Sequence, residues 1–491
     1  MVVKQARNGL IDFNTILRSM NLLVMALLLY GFSRLEESNP YIDSETIGLA
    51  LLLCIQTHIA LVFERKRRDP FVILLAFILI CYFSFRIFTL VLYPFSDVFP
   101  RFPYDANDSN YALIFILVAN TCLYLGFHKV KVTASPIKFD NWRATTPGSA
   151  LFLVLAVGLF AYTKDSYWTT GNIPRVFIFL EAFIYPATVF VMAFAYCLAF
   201  AKSLGRAFTL TIIILLVLEM LLHTLAGSRG AIVTTLEQLM VVLLAIAGSI
   251  GVRKSYLTLG LALAPVLIVL LVGAFFVSTF IRMSTGIGRP VDFAQAIRLS
   301  GDALSGPSTA ALEDVALRSV FARAGFFDYS AELIAHSEQY DGLISFPTYG
   351  KSIVDNVLTP GFDVFDQPKI SNSLEFVYAQ LGTPSKAEVP LEYHSDQLSL
   401  YGELYALFGY ASIPLFFGLA FSLKRIYVKL KGKDPFDLTL KRMIVLVVFG
   451  WIINSFGFDW IILQTIVFGA SVFTYRLFFR TRLCETPLIT Q

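Results

Sequence analysis

Apolar runs of about 20 residues, the length an α-helix needs to cross a hydrocarbon layer roughly 30 Å thick, recur along the chain between short polar stretches. By that criterion the pattern predicts about twelve spans. They fall near 15–33, 46–63, 70–93, 111–127, 147–163, 177–201, 207–226, 230–250, 257–281, 401–423, 438–456 and 459–479. One interval breaks the rhythm. Between 282 and 400 the polar positions are too frequent for a span, 310–339 has an amphipathic helical period, and pieces such as Leu358-Thr359-Pro360-Gly361-Phe362 read as irregular connections. The expected organisation is therefore 1–281 with nine spans, 282–400 as a loop domain with amphipathic helices, 401–479 with three spans, and 480–491 as a tail. The expected fold class is an all-α polytopic membrane protein.

Composition agrees: 56% of the 491 residues are hydrophobic and 15% charged, a balance outside the range of soluble globular chains. The net charge of +4 is small, and no basic run is threaded with aromatics in the way that grips a phosphate backbone, so nucleic acid is not an expected partner. Charge distribution is more informative. Glu64-Arg65-Lys66-Arg67-Arg68, Lys129/Lys131/Lys138, Lys202/Arg206, Arg253/Lys254 and Lys424/Arg425/Lys429/Lys431/Lys433 read as alternate loops rich in cations, which places them and both termini in the cytoplasm. The turn Gly227-Ser228-Arg229-Gly230 and the long loop then share the outer face. That loop, from Arg282 to Gly402, holds eight Lys/Arg and fifteen Asp/Glu, a net charge of −7. Lys4, Arg7 and Arg18 precede the first apolar run without a small-residue cleavage site, so that helix is expected to remain as an anchor. Cys54, Cys81, Cys122, Cys197 and Cys484 lack metal-ligand spacing, and neither a disulfide framework nor a structural zinc is expected.

Arginines without an acid three or four residues away are the first candidates for chemistry, because an uncompensated guanidinium near lipid is costly unless an anion visits it. Arg318 has Asp314, Arg298 has Asp302 and Arg289 has Asp292, so local pairing is the default for these three. Arg229, Arg282 and Arg323 have no such acid. A planar guanidinium suits phosphate oxygens, and Gly227 and Gly230 let a phosphate approach the backbone beside Arg229. A plain turn or snorkelling for Arg229 and Arg282, and stacking on Phe321, Phe326 and Phe327 for Arg323, are the competing structural readings. His394 precedes Ser395, read as a helix N-cap, and Asp396. It is either a general base or a solvated side chain. Glu403 either orients it or is an interfacial carboxylate facing water. Glu219 and His223, one turn apart, stand behind Arg229 as supporting groups. Arg86, Glu181, Glu237 and Asp459 are further charges in or beside spans and are expected to form buried helix–helix pairs.

Three stretches resemble the O-antigen polymerase family and its relative, the O-antigen ligase family. They are Leu225-Ala226-Gly227-Ser228-Arg229-Gly230-Ala231, the long loop with Arg323-Ala324-Gly325 and Leu358–Phe362, and Tyr401-Gly402-Glu403 running on to Phe408-Gly409-Tyr410. The ligases carry a His-Asn pair where this chain has His394-Ser395, which favours the polymerase. The resemblance implies a GT-C-type glycosyltransferase in the bacterial inner membrane, with about twelve helices and a periplasmic loop. It also implies a metal-independent inverting transfer that needs no cofactor. The partners implied are undecaprenyl-pyrophosphate-linked oligosaccharides and membrane lipid, with a polysaccharide chain-length regulator as candidate protein partner. On this reading Arg229, Arg282 and Arg323 bind pyrophosphate, while His394 and Glu403 are catalytic. A ligase transferring glycan to lipid A core or protein, and a non-enzymatic transporter of lipid-linked sugar, are the alternatives.

Overall fold

The computed structural model describes residues 13–36, 39–67, 69–92, 105–130, 206–225, 293–305, 326–337, 345–359 and 399–429, with isolated positions elsewhere. The described residues form helices and turns, with no strand among them. Five helical stretches are long and apolar enough to cross a membrane: Asn14–Phe32, Ser44–Glu64, Pro70–Val91, Ala106–Lys129 and Leu400–Lys429. They coincide with five of the expected spans. A shorter apolar helix, Thr209–Leu221, falls within the expected 207–226. The other six predicted spans lie almost wholly outside the described residues.

The chain divides into two compact units. The first combines Met1–Thr133, Leu317–Lys429 and Val448–Ile462; the second combines Ala134–Ala316, Leu430–Val447 and Leu463–Gln491. In the first unit α1 (Phe13–Phe32) and α2 (Ser44–Arg67) form an antiparallel pair. Asn14 Nδ2 donates to Leu61 O at 3.0 Å and Asn21 Nδ2 to Cys54 O at 2.8 Å, which sets their register. Asp43 begins α2 by accepting from Thr46 N at 2.8 Å, while its own N–H donates to the Thr46 hydroxyl. Those contacts satisfy N–H groups that a helix start leaves free.

Next come α3 (Pro70–Ile78), a π-helical stretch over Leu79–Ser84, and α4 (Phe85–Leu92). Asp69 caps α3 by accepting from Phe71 N, and Pro70 occupies the first turn, where a missing N–H costs nothing. A π-turn inserts an extra residue, so side chains after it are rotated by about 100° relative to an uninterrupted helix. That rotation determines which face α4 presents. The long helix α5 (Ala106–Lys129) starts at a reciprocal cap between Asp105 and Asp108.

The second unit contains α6 (Arg206–Leu225) and α7 (Phe293–Ser305). Leu225, Val277, Ile281 and Ala296 form a small buried cluster there, with Leu299 packed against it. Arg298 and Asp302 on α7 are both exposed.

Within the predicted amphipathic stretch 310–339, the described helix is α8 (Phe326–Ala335) in the first unit. It packs on α5 and on the π-helical stretch. Phe327, Asp328, Ser330, Ala331, Glu332, Leu333 and Ile334 are all buried. The segment is part of the core. Two further elements follow: α9 (Phe346–Ile353), capped by Ser345, and a π-helical turn over Val354–Leu358.

The predicted span 401–423 is broken. It consists of α10 (Leu400–Phe408), a 3-10 turn over Gly409–Ser412 and α11 (Ile413–Lys429). At nine residues α10 is about 13 Å long, too short to cross alone. The rings of Tyr401 and Phe416 stack at 5.5 Å, whereas a continuous helix would separate these positions by about 22 Å. The chain therefore folds back at Gly409, whose φ of 54° and ψ of −141° suit glycine alone. Its cap is Ser399, which accepts from Gly402 N. The Ser395 expected as N-cap lies outside the described residues, and the hydroxyl that caps α10 is that of Ser399, four positions nearer the apolar run. Below the turn α11 runs beside α5 at very close approach. A Cβ on Gly126 would lie 2.7 Å from both the Ala420 Cβ and the Phe417 carbonyl oxygen.

Candidate functional site

The polar residues of the first unit gather where α8 and the start of α10 meet the spans. At their centre is Arg86, on α4 just after the π-helical stretch. Its Nε lies 3.2 and 3.0 Å from the two carboxylate oxygens of Asp328, and Nη2 donates to Oδ2 at 2.6 Å. Nη1 donates to the Thr89 hydroxyl at 3.3 Å, which in turn donates to Arg86 O at 2.8 Å. Both charged side chains are 1% exposed. Removing a guanidinium and a carboxylate from water is tolerated only when the pair is bidentate and its remaining sites are occupied, as here. Arg86 thus joins a buried helix–helix pair, as expected. Glu181, Glu237 and Asp459 lie outside the described residues.

Around this pair are further titratable and hydroxyl groups. Tyr41, from the α1–α2 connection, is held above its ordinary acidity range, first by burial and then by the negative charges of Asp328 and Glu332. Its carbonyl accepts from Ser109 Oγ at 2.7 Å. Asp43 is a neighbour on the same connection. Burial alone would make it a weaker acid, but hydrogen bonds from Thr46, Asn110 and the backbone of Glu45 outweigh that and hold its carboxyl below the usual value. Asp108 lies near enough to His336 to interact with it electrostatically. The hydroxyls of Ser330 on α8 and Ser399 at the cap of α10 are 3.3 Å apart. One turn further along α10, Glu403 is 1% exposed. It is not a carboxylate facing water; the fold encloses it.

This ensemble is rich in acid. Asp328, Glu332 and Glu403 are buried with Arg86 as the buried arginine among the described residues.

Of the residues singled out from sequence, Arg229, Arg282, Arg323 and His394 lie outside the described residues. Glu219 is buried on α6 in the second unit. His223 is one turn further on the same helix, its side chain outside the description. The structure adds Arg86 with Asp328, Glu332 and Tyr41 to the candidates. Spacing of three or four residues does not disclose Asp328, which is 242 positions from Arg86. The signal was present in two halves: a lone arginine inside an apolar run, and a lone acid within Phe326-Phe327-Asp328-Tyr329.

A second correction concerns Lys424, read above as a loop cation. It lies on α11, buried, with its ammonium on Asp69 Oδ2 and on the carbonyl of Phe127. Glu64, also read as part of a loop, is buried in the last turn of α2 and accepts from Asp69 N at 2.9 Å. Cys54, Cys81 and Cys122 are free thiols. Among the described residues no three His, Cys, Asp or Glu side chains are grouped to hold a metal.

Helix lengths, hydropathy and burial define the class: a multi-pass α-helical protein embedded in a membrane. Comparison with known proteins adds nothing to that class, for no family model matches the chain and neither a curated protein nor a solved structure is significantly similar to it.

Proposed function

We propose that the protein polymerises undecaprenyl-pyrophosphate-linked oligosaccharide repeat units into a surface polysaccharide, acting from the periplasmic face of a bacterial inner membrane. The observation carrying this reading is the sequence trio of Gly227-Ser228-Arg229-Gly230, the acidic outer loop with Arg323-Ala324-Gly325, and Gly402-Glu403 leading to Phe408-Gly409. The fold is compatible with it in one respect. The loop helix α8 and the Gly402-Glu403 segment are both anchored among membrane helices, by Arg86–Asp328 and Ser330–Ser399, and a glycosyl transfer needs its groups held rigidly.

In this mechanism a hydroxyl of the acceptor repeat unit attacks the anomeric carbon of the donor glycan. A new glycosidic bond forms as the bond to pyrophosphate breaks, and the pyrophosphate leaves with the bonding electrons. Arg229, Arg282 and Arg323 offset that growing negative charge without a metal. His394 takes the acceptor proton. Glu403, a buried carboxylate, accepts from an acceptor hydroxyl.

The test is the lipid-linked material that accumulates in a strain lacking the protein. Single repeat units on the carrier support polymerisation, whereas full-length polymer on the carrier means a ligase and no change in carrier-linked sugar outside the cell removes both. With purified protein, Arg229→Ala is expected to abolish product at normal protein level. His394→Gln is expected to lower turnover by roughly 100-fold or more.

A further inference from the structure

Asn120 is an amide in the middle of a spanning helix, α5, and it is fully buried. Its Oδ1 accepts from the Tyr401 hydroxyl, whereas its Nδ2 has no hydrogen-bond partner among the described residues. A buried donor left unmade weakens a fold, and replacing both members of such a pair by apolar groups of the same shape is nearly neutral or stabilising. For stability alone, leucine facing phenylalanine would serve this contact as well. What the amide supplies and an apolar side chain does not is direction, because a hydrogen bond weakens steeply once it is misaligned.

The contact falls where direction matters. Tyr401 is the second residue of α10 and Glu403 the fourth, so their side chains leave the helix about 200° apart. Any turn of Tyr401 about the helix axis turns Glu403 by the same angle. The other contacts of the Tyr401 ring are apolar: Phe83 edge-on at 5.4 Å and Phe416 stacked at 5.5 Å. Burial of those rings holds α10 in place without fixing its rotation. Asn120 lies fourteen residues beyond Ala106, the first residue of α5, about 21 Å along the axis. One turn after Tyr401, Tyr405 meets Phe115 at 5.1 Å, so α10 runs back toward the start of α5. Its deep end is the end that Asn120 holds, and that first turn carries Glu403, 1% exposed. The cap residue is tied separately to α8, through the Ser330 and Ser399 hydroxyls at 3.3 Å.

We propose that Asn120 is a positioning residue: through the Tyr401 hydroxyl it sets the rotation of α10, and so the aim of the Glu403 carboxylate at the acceptor hydroxyl. The inference rests on the glycosyl transfer proposed above. A group displaced by about 1 Å loses up to about 100-fold in rate while substrate still binds, so the loss falls on kcat rather than on KM.

The experiment compares three full-length chains in nanodiscs: the unaltered protein, the double variant Asn120→Leu, Tyr401→Phe, and Asn21→Leu, which removes another fully buried amide, between α1 and α2. The double variant is expected to keep its unfolding midpoint, with KM for the lipid-linked repeat unit within about twofold and kcat lowered about 10- to 100-fold. Asn21→Leu is expected to leave kcat unaltered. An unaltered kcat in the double variant overturns the proposal, and so does a loss in Asn21→Leu as large as in the double variant, since activity would then follow buried amides in general. Circular dichroism and monodispersity verify folding; should the double variant not fold, Tyr401→Phe alone decides by the same division between kcat and KM. Absence of polymer from the unaltered chain rejects the glycosyl transfer instead. The positioning is then read without turnover, by placing Glu403→Cys in the unaltered and the double-variant chains and comparing its rate of modification by a small methanethiosulfonate. Different rates support a changed rotation of α10, and equal rates overturn it.

Discussion

Arg86 and Lys424 are both buried cations on membrane-spanning helices, and the first unit holds them in different ways. Arg86 is gripped through its planar fork by one carboxylate from far along the chain, with Thr89 taking the remaining nitrogen. Lys424 is a point charge shared between Asp69 and a backbone carbonyl near the end of α5. Its carboxylate has other work, since Asp69 also accepts from Phe71 N at 3.1 Å and starts α3. The contrast separates two uses of a buried ion pair. The Arg86 pair ties a loop helix to a span through a bidentate contact. The Lys424 pair closes a corner whose acid stays partly satisfied when the lysine is lost.

The largest effect is therefore expected at Asp328. Asp328→Ala removes the bidentate carboxylate from a buried guanidinium, and the loss of stability is expected to be about 3–5 kcal/mol, read as a lowered unfolding midpoint of the purified protein in detergent. An Arg86→Met, Asp328→Leu double variant should recover most of that loss. If Asp328→Ala alone proves neutral, the pair is not what secures α8.

Lys424→Met is expected to cost less, about 1.5–3 kcal/mol, because Asp69 keeps its helix-capping contact. A loss at Lys424 equal to or above that at Asp328 in the same assay would remove the distinction drawn between the two corners. Gly126→Ala sharpens the comparison by perturbing the α5–α11 packing near Lys424 without touching a charge. A methyl forced to within 2.7 Å of Ala420 and the Phe417 carbonyl is expected to cost about 1–3 kcal/mol. An unaltered midpoint would mean that α11 moves freely against α5.

The smallest effect belongs to Asp43, on the same connection as Tyr41. Its carboxyl is more acidic in the folded chain than its ordinary value of 3.8. Its contribution to stability is thus complete above that value and disappears as pH falls through the lower folded value. Stability measured between neutral pH and about pH 3 should show a shallow acid limb that Asp43→Asn flattens. An unchanged limb in Asp43→Asn assigns the acid sensitivity to other carboxylates.

Much of the membrane architecture was legible residue by residue. Asn14–Phe32, Ser44–Glu64, Pro70–Val91 and Ala106–Lys129 appear as helices where apolar runs had been counted. The break at Gly409 was visible as a glycine yet not as a reversal, because the rings that fold together, Tyr401 and Phe416, mark it only once α5 provides Asn120 and Phe115 to pack and bond against. The candidate site was less legible. The burial of Glu403 depends on the helix packed over it, and in the sequence Asp328 and Glu332 look like loop acids among many.

What this sequence determines by itself is its solvent. Partition into lipid sums over some twenty consecutive side chains, so local composition suffices to specify helical spans and their approximate ends. What only the tertiary structure decided is which charges are neutralised and where a span bends back. Arg86 and Asp328, or Asp69 and Lys424, meet across hundreds of intervening residues. Their energy comes from desolvation and contact geometry, quantities that no window along the chain contains.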